Sequence, residues 1–320
     1  MNPQFQKAIL RAAGASRLAG EEKIQTLWGG YGRLLRIRLQ GGKRDSVVVK
    51  HVSFPGRAKD SDRSHQRKAK SYRVETAWYT RWSRPCDDSC RVPQCLAVER
   101  SGDEVLIVLE DLDAAGFGGR RQQVTQEELA TGLCWLAHFH ATFMGETPDK
   151  LWKTGTYWHL STRPDELARL DDAALKQAAP AIDRALKSSP FQTFVHGDAK
   201  LANFCFSDDG KQVAAVDFQY VGGGCGMKDV AYYLGSCLHE DDCERLEGPL
   251  LDLYFDTLKK ALQQKKPAVD GLEVEHDWRA LYPVAWADFH RFMKGWYPER
   301  WDSNSYSERV TRKVIQSLSS

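Results

Sequence analysis

The stretch FVHGDAKLANFCF, residues 194–206, places four polar side chains between two apolar runs. They are His196, Asp198, Lys200 and Asn203, which all fall within eight residues. Polar groups next to buried segments cost free energy unless they form hydrogen bonds or bind a ligand. The stretch alone leaves two interpretations open: a turn whose Asp and Asn bond to their own backbone, or a loop that carries catalytic groups. The remainder of the chain decides between them.

The composition is that of an ordinary globular protein, with 42% hydrophobic and 28% charged residues among 320. This length is enough for one large domain or for two lobes that share a cleft. The net charge of +2 indicates no general attraction to nucleic acids or membranes. No apolar run approaches the roughly 20 residues of a membrane span, and the N-terminus lacks the features of a secretory signal. We therefore expect a cytoplasmic protein with no nucleic-acid and no membrane partner.

The first third of the chain is rich in strand-like runs. Two of them, at 33–40 and 46–52, are separated by the turn GGKRD, which predicts a hairpin. A basic loop at 57–73 and the helix-like segment SYRVETAWY come next. A third apolar run, EVLIVLEDL, ends at residue 112 and closes this part of the chain.

The chain becomes helical after residue 120. Thr125 and Glu128 form a T-x-x-E pattern, the capping box that satisfies free N–H groups at a helix start. Further helices are predicted at three places: 165–187, 246–264 and 285–297. The sequence thus predicts an α+β fold with a small β-rich N-terminal lobe, residues 1–110, and a larger, mainly helical C-terminal lobe, residues 111–320. The stretch at 194–206, which we call the opening stretch, lies in the helical lobe as a short β-hairpin.

Two features of the N-terminal lobe are suited to bind a nucleotide. Three glycines lie between strand-like runs: Gly29, Gly30 and Gly32. Glycine lets backbone N–H groups approach a phosphate closely. The usual glycine-rich loop has a third glycine at the position where this chain has Leu35. A plain hairpin turn therefore remains an alternative. At the end of the third run, the backbone groups from Glu110 to Leu112 could hydrogen-bond adenine.

Lys50 ends a run of valines in the second strand-like run. A lysine is rarely buried unless its ammonium group reaches a partner. Glu75, on the helix-like segment, is the candidate partner. Each of these residues alone is more commonly a solvated surface charge, so their order along the chain carries the argument.

The opening stretch and the strand after it supply groups for phosphoryl transfer from ATP. Asp198 can accept a hydrogen bond from a hydroxyl group and orient it for in-line attack. Lys200 can neutralise charge that develops on the transferred phosphate. Asn203 offers an amide oxygen to magnesium, a hard ion that prefers oxygen ligands. Asp217 ends an apolar strand 14 residues after Asn203, so both side chains can reach the same metal ion.

Lys50, Glu75, HGDAKLAN at 196–203 and VDFQ at 216–219 follow one another in the order found in kinases. The chain resembles the protein-kinase-like small-molecule kinases, which include the aminoglycoside phosphotransferases and the choline kinases. Within them it is most similar to the ecdysteroid kinase-like group, also called CHK kinase-like. The cues for this group are SHQRKAKSYRVETAWY, VLEDLDAAGF and GMKDVAYYLGSCL, and the resemblance covers about residues 24–240.

The resemblance implies a bilobal protein-kinase-like fold. It implies that the γ-phosphoryl group of ATP is transferred, with Mg²⁺, to a hydroxyl group of a small molecule. Lys50 would pair with Glu75 and contact the ATP phosphates. Asp198 would be the catalytic base, and Asn203 and Asp217 would be the magnesium ligands.

Asp229 resembles an aspartate that supports the catalytic loop of such kinases. Only 11 residues separate it from Asp217, too few for the activation segment of a protein kinase. We therefore expect a small-molecule hydroxyl acceptor and no protein substrate. Two alternatives stay open: an aminoglycoside- or choline-type kinase, and a nucleotide-binding pseudokinase scaffold that regulates a partner.

Overall fold

The computed structural model describes residues 2–54, 63–298 and 304–319. Its first lobe is built on a five-stranded antiparallel sheet with strand order β1-β2-β3-β5-β4. The strands are β1 Arg17–Thr26, β2 Gly32–Gln40, β3 Ser46–Ser53, β4 Cys95–Ser101 and β5 Glu104–Glu110. Helix α1 (Pro3–Ala13) precedes β1, and helix α2 (Arg63–Ala77) lies between β3 and β4 in the chain.

The predicted hairpin is confirmed, because β2 pairs with β3 from Gly32 to Arg38. Of the basic loop predicted at 57–73, residues 57–62 lie outside the described residues, and residues 63–73 belong to helix α2. Helix α1 and strand β1 were not predicted before residue 24. Nearly every side chain of β1 is exposed, so this strand lacks the apolar alternation that reveals a half-buried strand.

The sheet is buried on both faces. Phe5 and Ile9 of α1 pack on one face, against Val47 and Val49 of β3. The opposite face packs against α2 and the second lobe. Because successive side chains of a strand point to opposite faces, Lys50 projects from the second face, toward the helical lobe.

The second lobe is mainly helical. Its helices are α3 Gln126–Thr142, α4 Pro164–Arg169, α5 Ala173–Ser188, α6 Met227–Cys237, α7 Glu240–Lys265, α8 Gly271–Trp296 and α9 Tyr306–Ser319. Two pairs of short strands lie among them, β6 (Thr193–Val195) with β9 (Gly222–Gly224), and β7 (Phe204–Phe206) with β8 (Val213–Ala215). The predicted α+β fold with a small sheet lobe and a larger helical lobe is confirmed. In the parts of the chain that the structure describes, no helix has the length and apolarity to cross a membrane.

The prediction of one helix at 165–187 is wrong. The structure has two helices there, α4 and α5, because the side chain of Asp172 caps a new helix at this point. The helices predicted at 246–264 and 285–297 are the later parts of α7 and α8, which both begin earlier. Pro283 lies inside α8 without ending it, which is why the sequence did not reveal the first half of this helix.

Helix α3 begins with the predicted capping box, in which Thr125 and Glu128 exchange side-chain and backbone hydrogen bonds. It then packs closely on α6. A β-carbon on Gly132 would lie 2.0 Å from the hydroxyl oxygen of Tyr233 on α6, so the two helices approach where glycine leaves room. This packing brings α3 to the start of α6, directly behind the opening stretch.

We expect Gly132→Ala to lower the free energy of unfolding by about 1 kcal/mol, measured by urea denaturation. Overpacking costs roughly 1–3 kcal/mol, which outweighs the gain of up to about 1 kcal/mol when alanine replaces a helical glycine. Gly235→Ala on α6 is the matched control, because its β-carbon would meet Trp286 at an ordinary 3.5 Å. The Gly235→Ala variant should be stabilised by about 0.5–1 kcal/mol. Equal stabilisation of both variants would contradict the close approach of α3 and α6 at Gly132.

Candidate active site

Lys50 joins three segments of the chain through two ion pairs. Its ammonium nitrogen lies 2.8 Å from Oε1 of Glu75 on α2 and 3.0 Å from Oδ1 of Asp217, just beyond β8. Lys50 and Glu75 are 5% and 1% exposed, whereas the side chain of Asp217 is 37% exposed. The structure therefore brings together the lysine and the glutamate that the sequence paired, and it adds Asp217 to them.

These contacts determine the charges of the three groups. Although burial opposes its ionisation, the carboxylates of Asp217 and Glu75 raise the pKa of Lys50 above its ordinary value. Burial raises the pKa of Glu75 to about 7, against the effect of Lys50. For Asp217, the cost of burial is outweighed by Lys50, which lowers the pKa of this carboxylate. At neutral pH, Lys50 is cationic and Asp217 is ionised.

The loop between β6 and β7 is held by Asp229 at the start of α6. Its Oδ2 accepts a hydrogen bond from the amide of His196 at 2.5 Å and lies 3.2 Å from Nε2 of His140 on α3. Its Oδ1 accepts from the amide of Gly197 at 2.9 Å. Gly197 has a φ of +80°, and a β-carbon there would lie 2.1 Å from the carbonyl oxygen of Tyr220. Asp229 thus fixes the loop, and only glycine fits at position 197.

Asp198 has one carboxylate oxygen that accepts a hydrogen bond and one that accepts none of ordinary geometry. Oδ2 accepts a hydrogen bond from Nδ2 of Asn203 at 3.0 Å and lies 3.2 Å from Nζ of Lys200. Oδ1 is buried and accepts no hydrogen bond of ordinary geometry from the described residues, although the hydroxyl of Tyr232 is close enough to Asp198 for the two groups to interact. A buried oxygen without an ordinary hydrogen bond costs free energy, so Oδ1 is suited to accept a hydrogen bond from a ligand hydroxyl. Burial also raises the pKa of Asp198 to about 6, although Lys200 opposes this shift.

Asn203 and Asp217 fit a magnesium ion. The Nδ2 group of Asn203 donates to the carbonyl and the carboxylate of Asp198, which leaves the amide oxygen of Asn203 for another partner. The amide of Val216 donates to the carbonyl of Asn203 at 2.9 Å, so Asp217 follows directly beside Asn203. An amide oxygen and a partly exposed carboxylate that line the same cavity are ligands of the kind that Mg²⁺ prefers.

A cavity of about 420 Å³ lies between the sheet and the helical lobe. Six of the site residues predicted from the sequence line it: Lys50, Glu75, Glu110, Leu112, Asn203 and Asp217. Leu27, Leu34 and Leu109 add apolar walls, which suit a flat ring with polar groups at a few positions. We call this space the nucleotide cavity.

Glu110 and Leu112 were predicted to act through their backbone groups. The Glu110 side chain is already engaged, because it accepts hydrogen bonds from Arg91 at 2.7 Å and from the amide of Gln94 at 3.1 Å. The amide of Glu110 is engaged as well, and it donates to the carbonyl of Gln94 at 2.9 Å. The adenine contact stays a prediction that involves the remaining backbone groups of this segment.

The predicted glycine-rich turn contains Gly29, Gly30 and Gly32 and connects β1 to β2. None of these glycines lines the nucleotide cavity, although Leu27 and Leu34 on either side of the turn do. The amide of Gly30 donates to the carbonyl of Leu27 at 3.0 Å. A β-carbon on Gly29 would lie 2.6 Å from Nζ of Lys68. Phosphate binding by this turn stays a prediction.

Sequence reasoning missed an ion pair at the edge of the nucleotide cavity. Nε of Arg36 donates to Oδ2 of Asp111 at 2.8 Å, and the hydroxyl of Ser46 donates to the same oxygen at 2.7 Å. Although burial opposes it, Arg36 lowers the pKa of Asp111. This pair fixes the segment after β5 to the sheet. Arg36 and Asp111 lie 75 residues apart, so no local motif could reveal them.

A second cavity, of about 280 Å³, adjoins the first, and Asp217 lines both. Asp198 and Lys200 line the second cavity. Its other lining residues include five side chains from four segments of the chain: Lys68, Tyr157, Arg163, Tyr220 and Trp296. We call this space the acceptor cavity. No short motif contains these five residues, and only the fold brings them together.

We expect the Asp198 carboxylate to titrate near pH 6. NMR of protein labelled with ¹³C at the aspartate carboxyls should show one resonance with a midpoint near 6, and Asp198→Asn should remove it. Because the ionised form accepts the hydroxyl proton, kcat/KM should fall as the pH drops below this value. A midpoint near 4, the ordinary aspartate value, would contradict the buried environment of Asp198.

Comparison with one solved structure shows the same fold, and two further structures match less closely. The chain is similar to a protein described as a putative fructosamine-3-kinase from Thermobifida fusca YX-ER1, with 16% identity and a TM-score of 0.51 over 98% of this chain and 96% of that chain. The aminoglycoside phosphotransferase APH(3'')-Id from Streptomyces rimosus ATCC10970 matches at 16% identity and a TM-score of 0.48, over 89% of this chain and 99% of that one. A choline kinase from Cryptosporidium parvum Iowa II matches at 10% identity and a TM-score of 0.49, over 93% of this chain and 88% of that one.

No curated protein matches the chain in a sequence comparison. A family model, described as the phosphotransferase enzyme family (APH), matches residues 23–269. This range includes the sheet, the opening stretch and Asp229, and it confirms the prediction of a phosphotransferase. Because the match spans more than half of the chain, the protein belongs to the phosphotransferase enzyme family.

Proposed function

We propose that this protein is an ATP- and Mg²⁺-dependent kinase that transfers the γ-phosphoryl group of ATP to a hydroxyl group of a small molecule. One observation carries the proposal: the nucleotide cavity and the acceptor cavity meet at Asp217. Lys50 and Asn203 line the first cavity, and Asp198 lines the second. A phosphate donor in one cavity and a hydroxyl group in the other would therefore meet between these groups.

On the donor side, Lys50 is a buried cation that can hold the phosphates. The backbone from Glu110 to Leu112 is proposed to bind adenine. Asn203 and Asp217 would hold Mg²⁺. When bound, this ion neutralises charge on the phosphates.

On the acceptor side, Oδ1 of Asp198 accepts the hydrogen bond of the attacking hydroxyl and then its proton. Asp198 and Asp217 lie in different electrostatic environments, which suit them to different roles. Burial holds Asp198 near its titration point at neutral pH, whereas Lys50 keeps Asp217 ionised. Two carboxylates whose pKa values are pushed apart in this way can act as base and as metal ligand. Lys200, 3.2 Å from Asp198, can neutralise charge on the transferred group.

The acceptor is proposed to be a small molecule, not a protein. Residues 218–226 between Asp217 and α6 form a short connection in which β9 pairs with β6. This connection leaves little chain for a platform that binds a peptide. We also propose membership of the ecdysteroid kinase-like group, on its motifs VLEDLDAAGF and GMKDVAYYLGSCL. A cytoplasmic location is supported by the eight free cysteines, since reducing compartments keep thiols unpaired.

The pseudokinase alternative is less well supported. A scaffold that only binds nucleotide has no chemical need for a buried carboxylate oxygen without an ordinary hydrogen bond, such as Oδ1 of Asp198. It would also not need Lys50, Glu75 and Asp217 in mutual contact. Phosphoryl transfer would use both features, the first to accept the hydroxyl proton and the second to hold the phosphates and the metal ion.

The test is to incubate the protein with γ-³²P-ATP, Mg²⁺ and a small-metabolite extract, and to separate the labelled products. We expect a labelled small molecule, with a rate at least about 100-fold lower for Asp198→Asn, since general bases contribute about 10²–10⁴-fold. Asp209→Asn, on the exposed turn between β7 and β8, is the matched control and should retain the rate. An unchanged rate in Asp198→Asn would overturn the role of this residue. Mg-ATP binding without any labelled product would favour the pseudokinase.

A further inference from the structure

The acceptor cavity has a chemical character that selects a class of acceptor. We propose that it binds a hydroxyl compound that carries an anionic group, a carboxylate or a phosphate, on a flat apolar body. The inference rests on the proposed function, because it takes this cavity as the acceptor site. It decides among the acceptor classes that the sequence left open.

The charges that line the acceptor cavity are mostly positive. Lys68, Arg163 and Lys200 all line it. Within the described ranges, Asp198 and Asp217 are the only carboxylates that do. Both have other tasks, because Asp217 contacts Lys50 at 3.0 Å and Asp198 faces the attacking hydroxyl. Lys200 has another task as well, because it lies 3.2 Å from Asp198 and is proposed to neutralise charge on the transferred group. Recognition of the rest of the acceptor therefore rests on the cation Arg163.

Arg163 is held in a fixed position in this cavity. It is 5% exposed, its Nε donates to the carbonyl of Tyr157 at 3.1 Å, and its Nη1 donates to Glu166 at 3.4 Å. These two hydrogen bonds leave Nη2 without a partner in the described part of the chain. A guanidinium group that is fixed by protein contacts and keeps a free N–H edge is well suited to bind a carboxylate or a phosphate.

In the described part of the chain, more positive than negative charge surrounds Arg163. Burial and the nearby charge of Arg67 on α2 both lower the pKa of Arg163. Glu166 is shared, since it lies 3.4 Å from Arg163 and 3.8 Å from Arg169. Arg163 and Arg67 repel each other, and Glu166 is divided between Arg163 and Arg169. An anion bound at Arg163 would relieve this repulsion.

The aromatic walls of the cavity do not form a free cage for a cationic acceptor. The guanidinium carbon of Arg163 lies 5.1 Å from the ring centre of Trp296 and 5.6 Å from that of Tyr157. The ring faces that would attract a quaternary amine are thus already next to a cation of the protein. A choline-like or polyamine acceptor would meet Arg163 as a like charge. Tyr157 and Tyr220 pack edge to face, with ring centroids 5.9 Å apart, and together with Tyr72 they line the cavity with aromatic surface that suits an uncharged, apolar body.

The test uses four benzyl alcohols that share one skeleton and differ in the para substituent. The anionic members are 4-(hydroxymethyl)benzoate and 4-(hydroxymethyl)phenylphosphonate, which separate carboxylate from phosphate recognition. The neutral member is 1,4-benzenedimethanol, and the cationic member is 4-(aminomethyl)benzyl alcohol. Dissociation constants are measured by ligand-observed NMR with the full chain saturated with Mg-ADP. The affinity for Mg-ADP, measured first by calorimetry, reports on the proposed function separately.

We expect at least one anionic compound to bind about tenfold or more tighter than the neutral one, and the cationic one to bind weakest. Arg163→Gln should remove this preference and leave the affinity for the neutral compound unchanged. Arg169→Gln is the matched control: it shares Glu166 with Arg163, but its side chain is 60% exposed and does not line the cavity, so the preference should remain.

Tighter binding of the cationic or neutral compound, no binding of any of the four, or a preference that survives Arg163→Gln would overturn the inference. Failure of Mg-ADP to bind would instead contradict the proposed function. Retained Mg-ADP binding in Arg163→Gln would show that this variant folds, so that a lost preference is assigned to the missing guanidinium.

Discussion

A single buried lysine connects the sheet, helix α2 and the segment after β8. Lys50 contacts Glu75 at 2.8 Å and Asp217 at 3.0 Å. Removing one partner from a buried ion pair costs about 3–5 kcal/mol, because the charge that remains is uncompensated. The contact therefore fixes where the two lobes meet. It also holds Asp217 at a φ of +69°, a conformation that non-glycine residues adopt only when their surroundings compensate for the strain.

The helical lobe positions Asp198, the second carboxylate of the site, in a different way. Asp229 binds the amides of His196 and Gly197, so the loop is fixed by backbone contacts and the Asp198 side chain remains available. The two carboxylates thus differ in environment, since Asp217 contacts a buried cation and Asp198 keeps one oxygen without an ordinary hydrogen bond. This difference, more than the identity of either residue, gives them separate roles. The same fixed geometry leaves a cavity on either side of Asp217.

The sequence predicted those parts of the site that lie in short motifs. Asp198, Lys200 and Asn203 stand within six residues of one loop, and their mutual contacts follow from local geometry. The pairing of Lys50 with Glu75 came from chain order. The lining of the acceptor cavity could not be predicted, since Tyr157, Arg163, Tyr220 and Trp296 meet only when the 157–163 segment, the connection after Asp217 and the end of α8 are packed together. Likewise, β1 was missed because its exposed side chains carry no apolar pattern.

A crystal structure of the protein with Mg²⁺ and a non-hydrolysable ATP analogue tests this account most directly. We predict that the triphosphate contacts Lys50, that the metal ion is bound by Asn203 and Asp217, and that the γ-phosphate points toward the acceptor cavity beside Asp198. A nucleotide bound outside the cavity between the lobes would contradict the account. So would a metal ion that contacts neither Asn203 nor Asp217.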